Sequence, residues 1–396
     1  MIKLNYILSC SAKFHHFEIG KVLHKKGQLD KIICGYPWFK LKYENIPKHF
    51  ILANGFYNIL KYPLRGNYKF KKITDFLSIK NKINIDNITC DYIDNNKKAN
   101  VLMALAGVSL HSGKKFKSNE NIFICERSSS HIVFQNDIML EEYKEFTKKN
   151  YRETNPWNIE NELKEYEDAD IILVPSNYAK STFKNDLLKK VKVLEFGSNI
   201  DMFYKDKEIS KSDKFFDVLF IGSKSLRKGL HYLIDAFHKF KHPYKRLHII
   251  GSDTEDKEFF VDKLKDDKIL VYGHVKQSKL NSIINKCHVF VLPSIDEGFG
   301  IVTLQALAAG CPIIVSENTG PVDIVKKNKC GYVVPIRSSS AITEKLQLFA
   351  DDKDLLNNFS FNAANYAKNN TWDNYVDKLN KLILDFKQNK VFNFEN

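Results

Sequence analysis

The chain has 396 residues, 43% of them hydrophobic with 29 Phe and 18 Tyr, too long for one ordinary domain and ample for two cores of about 150–200 residues. Its formal charge of +14 is concentrated at the front, where residues 1–100 hold 18 Lys and Arg against 7 Asp and Glu. No window reaches ~18 consecutive apolar residues, which excludes a membrane-spanning helix, and seven singly placed cysteines without a C-x-x-C pair argue against a disulfide framework or a zinc site.

In chain order, residues 2–8 read as a first strand and Phe17 to Lys26 as a helix closed by Gly27. The opening MIKLNYILSCSAKFHH is apolar for too few residues to act as a signal peptide, and the unpaired thiols suit a reduced, cytoplasmic protein. Ile32 to Cys34 begins another strand. Residues 36–98 are aromatic, Lys-rich and broken by Pro37, Pro47 and Pro63, and show no clear period. Val101–Ala106 and Asn121–Cys125 read as core strands, Asn158–Asp168 as a polar helix, Ile171–Val174 as a strand, and Ser176 as the cap of the next helix. Val191–Phe196 closes this half. The polar, aperiodic stretch Gly197–Asp213 then marks a boundary.

Beyond it, strands are expected at Asp217–Gly222, Leu247–Gly251, Ile269–Tyr272, His288–Leu292, Pro312–Val315 and Tyr332–Val334. Helical patterns separate them at Lys228–Phe240, Asp256–Leu264, Ser278–Asn285, Ile301–Ala309 and Pro321–Lys327. Strict alternation of this kind implies a parallel, doubly wound sheet. From Ser339 onward the pattern is helical only, with Trp372 and Tyr375 starting a last long helix. The expected architecture is therefore α/β, with two Rossmann-like domains facing each other across a cleft: residues 1–200, joined by a helix at about 373–396, and residues 210–372.

Two loops carry the chemistry. After the strand ending at Gly222, Ser223, Lys224, Arg227 and Lys228 precede a helix opened by Gly229. Cations beside a helix N-terminus form a diphosphate site, although a polar loop with surface lysines has the same composition. In VFVLPSIDEGFGIVTLQALAAG, a doubly buried strand is followed by Ser294, the carboxylates Asp296 and Glu297, and Gly298-Phe299-Gly300 opening a helix. One loop can hold phosphate while the other holds hydroxyls, and Glu297 is placed to accept hydrogen bonds from vicinal hydroxyls.

The run FIGSKSLRKGLHYLIDAF, LHIIGSD, VYGHV, HVFVLPSIDEGFGIVTLQALAAGCPIIVSENTG and CGYVVP resembles the donor-binding domain of a GT-B glycosyltransferase, specifically a family 4 retaining enzyme. The resemblance covers nearly all of residues 217–390. It continues more weakly through KFHHFEIGKVLHKKG, GYPWFKLK, ICERSSSH and ADIILVPSNYAKSTF. It implies a nucleotide-sugar donor, a glycan or lipid-linked acceptor, no metal and no other cofactor. Two glutamates with seven residues between them flank the donor in that family. The first falls on Glu297, at the transferred sugar; the second falls on Gln305, a departure that keeps hydrogen bonding to the ribose but adds no charge. Ser223 stands where many members carry an arginine, and Arg227 beside the family lysine Lys228 is placed to replace that charge. The resemblance further implies that Arg227, Lys228 and the Gly298–Gly300 backbone neutralise the departing β-phosphate. Gly222, Phe299 and Ile301 would complete the donor wall, with the base near Gly273-His274-Val275.

The first half is expected to bind the acceptor. His131, in CERSSSH, is a candidate hydrogen-bond partner or base at the reacting hydroxyl, or a structural histidine. Glu126 and Arg127 precede it as acceptor-side residues or as a buried ion pair, and His15 and His16 follow the first strand, facing donor or acceptor or capping the helix. His111 is a surface candidate. Residues 56–82 interleave aromatics with Lys and Arg, which fits a segment lying on an anionic membrane surface, a single-stranded nucleic-acid site, or a core face with solvated lysines. The leading expectation is a retaining glycosyltransferase of cell-surface polysaccharide or glycolipid synthesis, cytoplasmic and peripheral on the inner face of the membrane. The alternatives are a catalytically weakened sugar-nucleotide-binding relative, suggested by Gln305 and Ser223, and a basic nucleic-acid-binding protein, for which no recognition motif is present.

Overall fold

The apolar runs read from the sequence pair as parallel strands in two separate sheets of a computed structural model, which describes residues 3–64, 68–118, 120–147 and 154–392. The first sheet contains β1 (Tyr6–Cys10), β2 (Leu29–Cys34), β3 (Ile51–Ala53), β4 (Val101–Leu105), β5 (Ile122–Glu126), β6 (Ile171–Val174) and β7 (Val191–Val193), in the order β3-β2-β1-β4-β5-β6-β7. The second contains β8 (Phe216–Ile221), β9 (Lys245–Ile250), β10 (Ile269–Gly273), β11 (Val289–Leu292), β12 (Ile313–Ser316) and β13 (Gly331–Val334), in the order β10-β9-β8-β11-β12-β13. The registered pairs are parallel throughout. Strands β1, β5, β6, β8, β11 and β12 are buried at every residue, because helices cover both faces of each sheet. That double burial is why they read as continuous apolar runs rather than alternating ones.

In each sheet the chain starts in the middle, winds outward, then returns to the other side of its first strand. The order reverses between β1 and β4 and again between β8 and β11. Open α/β sheets bind ligands beyond the carboxyl ends of the strands at such a switch point. The final helix, Trp372–Phe392, crosses back to the first sheet: Asn380 accepts a hydrogen bond from Tyr6 Oη at 2.6 Å, and Asp377 pairs with Lys26 at 2.7 Å.

Residues 36–98 become a short β3 and, chiefly, one 25-residue helix, Lys71–Asn95. Periodicity conceals this helix because much of what it buries is polar. Asn81 donates to the Ser11 carbonyl, Thr89 meets Ser9 Oγ at 3.1 Å, and Asp86 accepts from the His111 and Ser112 amides at the start of the next helix. Two expected elements are shorter than their patterns. Asp256–Leu264 keeps one helical turn, Lys257–Phe260, and the last strand of the first half ends at Val193, with Leu194, whose amide still donates to the Val174 carbonyl at 2.9 Å, and Phe196 continuing into the core.

The helix Ile132–Phe146 straps the two halves together. Glu142, fully buried, takes hydrogen bonds from His231 Nε2 at 3.0 Å and Arg337 Nε at 2.7 Å, and Tyr143 Oη donates to Asp256 at 2.8 Å.

Candidate functional site

Both switch points open into one cleft of about 770 Å³. Ser11, Phe14 and His15 line it just beyond β1, Leu105 and Ala106 at the end of β4, and Glu126 to Ser129 at the end of β5. From the second sheet come Gly222 and Ser223 after β8, Arg227 and Lys228 on the following turn, and Glu297 and Phe299 to Val302 after β11.

On the second-sheet wall, Glu297 sits under two cations. Its Oε2 accepts from Arg227 Nη1 at 3.2 Å and directly contacts Lys228 Nζ. The Glu297 and Lys228 side chains keep only 13% and 12% of their exposure, against 35% for Arg227, so the first two form a nearly dry pair that the arginine covers. Burial alone would raise the Glu297 carboxyl; Lys228 and Arg227 outweigh it and hold the group below its ordinary value. Burial pulls the Lys228 ammonium down, with Arg227 adding to that effect against the attraction of Glu297. Backbone geometry aims the cations. Gly229 holds φ +64° between the turn and its helix, and a Cβ there would collide with the Pro293 carbonyl. Arg227 is anchored further by donating to the Asp296 carbonyl at 2.9 Å, and its own carbonyl accepts from Ile295 N. Gly300, at φ +73°, starts the eight-residue helix Ile301–Ala308, whose first residues face the cleft. The first N–H groups of a helix have no intrahelical acceptor and attract anions.

Asp296, next to Glu297 in sequence, does different work. It accepts from Tyr178 Oη and from Gln135 Nε2, each at 2.6 Å, fastening this loop to the first half. Ser176, the expected helix cap, also donates to the Gly298 carbonyl at 2.7 Å. Gly298 itself lies so close to Ser128 and Ser129 that a Cβ would strike their backbone.

On the facing wall, Glu126 receives His15 Nε2 in a direct hydrogen bond and has His16 Nε2 at 3.1 Å, outside hydrogen-bonding geometry. Burial would raise Glu126, but the two histidines, His15 foremost, pull it well below the carboxylate range; burial lowers His16. The Glu126 carboxylate is thus favoured in its ionised form, while burial disfavours the charged form of His16 behind it. These three side chains bring metal-ligand atoms within 4.8 Å of one another, and Glu126 already spends its Oε1 on His15 and Ser128. Arg127 turns the other way, pairing with Glu162 at 2.9 Å and donating to the Ser130 carbonyl, so the expected Glu126–Arg127 ion pair is replaced by two separate ones. Successive residues at a strand end point to opposite faces, which is the cause. Lys82, Glu162 and Gln135, absent from the expected set, also line the cleft. Lys82 donates to Asn158 at 2.8 Å, and nothing in its local sequence distinguishes it from the other lysines of its helix.

Several expected residues lie elsewhere. His131 does not face the cleft: its Nδ1 accepts from Val133 N as a helix cap, and its ring packs 4.9 Å from Phe183 and 5.4 Å from Tyr166. A base at the reacting hydroxyl is thus not what this position provides. Ser294 is fully buried, with its carbonyl accepting from Ser316, and does not reach the lining. His274 is exposed and Val275 half-buried, in the loop beyond β10. Gln305 lies one helical turn beyond Ile301, with Oε1 buried and without a hydrogen-bond partner. Ser223, by contrast, does line the cleft, with its hydroxyl 3.3 Å from that of Ser225.

Residues 201–366 match the family model described as Glycosyl transferases group 1. A capsular polysaccharide biosynthesis glycosyltransferase, CapM of Staphylococcus aureus, is 28% identical over 219 residues, which is 51% of this chain and 57% of that protein. The chain thus spans little more than half the length of this curated relative. Among solved structures, the sucrose-phosphate synthase of Thermosynechococcus elongatus aligns over 96% of this chain and 98% of its own with a TM-score of 0.72 at 17% identity. The Anabaena protein HepE, solved with UDP and glucose, aligns over 96% of this chain and all of its own with a TM-score of 0.67 at 13% identity. The fold is GT-B.

Proposed function

We propose that the chain is a retaining glycosyltransferase that moves a sugar from a nucleotide-sugar donor to a glycan or lipid-linked acceptor, in the synthesis of a cell-surface polysaccharide or glycolipid on the cytoplasmic side of a membrane. The observation that carries this reading is the Arg227–Lys228–Glu297 cluster at the β8/β11 switch point, beside the helix that starts at Gly300. A diphosphate needs two cations and free N–H donors; a sugar needs a carboxylate for its hydroxyls; the cluster offers both within one loop pair. The complex of HepE with UDP and glucose and the capsular polysaccharide biosynthesis of CapM support the donor class and the setting.

In this reading the cations are neutralised by Glu297 until donor arrives. The diphosphate then takes over Arg227 and Lys228, and Glu297 turns to accept hydrogen bonds from the sugar hydroxyls. As the glycosidic bond to the β-phosphate breaks, charge grows on the leaving oxygen, and Arg227, Lys228 and the start of the Gly300 helix stabilise it where little water competes. The departing diphosphate accepts the acceptor proton on the same face of the sugar, which gives retention. His15, held by Glu126, lines the acceptor side of the cleft. Gln305, one helical turn beyond Ile301, turns its amide to the ribose when donor binds, giving a partner to an Oε1 that has none in the free chain.

A second reading, a sugar-nucleotide-binding relative with weak transfer, is favoured by Gln305 and Ser223, neither of which supplies charge. Screening UDP-, GDP-, ADP- and CMP-sugars for thermal stabilisation and then for transfer, with wild type and Glu297→Ala, separates the two. Stabilisation by one nucleotide sugar followed by transfer is expected. Stabilisation without transfer to any glycan or lipid acceptor would favour the second reading, and no stabilisation by any nucleotide sugar would refute both.

A further inference from the structure

We infer that the face built by the described residues between positions 39 and 76 (39–64 and 68–76) docks on an anionic bilayer, holding the mouth of the cleft at headgroup level. Ten of the 21 exposed large hydrophobic side chains among the described residues lie within this stretch, about a tenth of the chain, so the clustering is not the ordinary scatter of surface apolar groups. Phe39, Phe56, Tyr62 and Phe76 are each 56–67% exposed, and Ile59 and Ile73 about half.

These residues form one surface. Gly55 abuts Pro37, Lys40 Nζ lies 5.8 Å from the Tyr62 ring, and Lys61 donates to Ser78 Oγ at 3.0 Å, tying the loop at 37–43, the helix Phe56–Lys61 and the start of the Lys71–Asn95 helix together. The described residues of this stretch hold seven lysines against two acidic residues, and one of those two, Glu44, is buried against Lys13 and Lys21.

Apolar wedges ringed by lysine stems suit a headgroup layer, where the rings and aliphatic chains enter the acyl boundary while ammonium groups meet lipid phosphate. A second copy of the chain is a poorer occupant, since it would bring two such basic faces together. Nucleic acid would use the rings for stacking but leave Ile59, Leu60 and Ile73 unused. The Lys71–Asn95 helix links this face to the site. Phe76 is exposed on it and Lys82 lines the cleft six residues later, a rise of roughly 9 Å at 1.5 Å per residue. Phe14, 42% exposed, lines the same mouth. A polar head carried on a membrane lipid can therefore reach the cleft without its tail leaving the bilayer; this consequence, unlike the docking itself, rests on the glycosyltransferase reading.

The test is sedimentation with vesicles of phosphatidylcholine alone and with about a third phosphatidylglycerol, using wild type, the triple variant Phe56→Ser/Ile59→Ser/Phe76→Ser, and the charge variant Lys40→Glu/Lys72→Glu. Expected are binding to the anionic vesicles that weakens with salt, and a loss of about tenfold or more in each variant. UDP-induced thermal stabilisation, measured without lipid, should be the same in all three proteins, which reports folding and the donor site independently. No binding to anionic vesicles, or equal binding by the variants, overturns the inference. So does a wild-type dimer in solution that the triple variant abolishes, or tighter binding to a single-stranded oligonucleotide than to vesicles. Failure of docking with UDP stabilisation intact leaves the proposed enzyme standing, and the converse leaves the docking face standing.

Discussion

Replacing Glu297 by alanine should destabilise the free protein and tighten its grip on UDP, even as it slows transfer. In the free chain the carboxylate compensates Lys228, whose side chain is 12% exposed, and Arg227, which is 35% exposed. Removing one partner of a buried ion pair costs about 3–5 kcal/mol because the other charge is stranded. Here the arginine can turn to water and the lysine retains a little exposure, so about 2–3 kcal/mol is expected, or a fall in Tm of roughly 5–10 °C for a domain of this size. The two unmasked cations should bind a diphosphate more strongly, lowering the Kd for UDP about tenfold, which is ~1.4 kcal/mol. Transfer should nevertheless drop by about 10²-fold or more, because the carboxylate that orients the sugar is gone. Differential scanning fluorimetry with and without UDP, calorimetric titration with UDP, and a transfer assay read the three effects. A variant as stable as wild type that binds UDP no more tightly would refute the idea that Glu297 holds the cations in reserve.

His288 keeps its Nδ1 as an acceptor for the Asp217 amide at 3.0 Å, and burial lowers its pKa to about 4. Because the unfolded chain takes up this proton near pH 6.5 and the folded one near 4, stability is full above about 6.5 and falls with pH through that window by up to about 3 kcal/mol; His288→Asn, which keeps an acceptor, should flatten the slope in urea melts at stepped pH. Gly229→Ala forces a Cβ onto a left-handed residue against the Pro293 carbonyl, so a loss of about 2 kcal/mol or more is expected together with weaker UDP binding, since the Arg227–Lys228 turn must move. Unchanged Tm would show that the turn is not strained in this way. Gln305→Leu should leave Tm within about 2 °C of wild type or above it, because the amide oxygen it removes is buried without a partner, and should weaken binding of UDP but not of diphosphate alone; equal loss for both ligands would place Gln305 away from the ribose.

The second half of the fold was legible almost to the residue. β8 to β13 begin and end within about two positions of their expected bounds, since β8, β11 and β12 are buried at every residue, the others keep an apolar stretch, and the loops between them are punctuated by Gly, Pro and Asp. In the first half the Lys71–Asn95 helix escaped, because it buries Asn81, Asp86 and Thr89, which bond to partners as distant as Ser11, Ser112 and Ser9. No local pattern announces a polar residue whose partner is 80 residues away.

The candidate site divides the same way. The loops bearing Arg227, Lys228 and Glu297 could be read directly, since each lies where a strand meets a helix and carries its charge within a few residues. That Glu297 closes on those two cations, that Glu126 turns to His15 rather than Arg127, that His131 is a cap packed on Phe183, and that Lys82 enters the cleft were decided by tertiary structure. Sequence determines which residues stand at strand ends, because backbone periodicity and burial are local. Which of them face one another depends on how two sheets are wound and set edge to edge, and that follows from contacts between residues 69 to 111 positions apart.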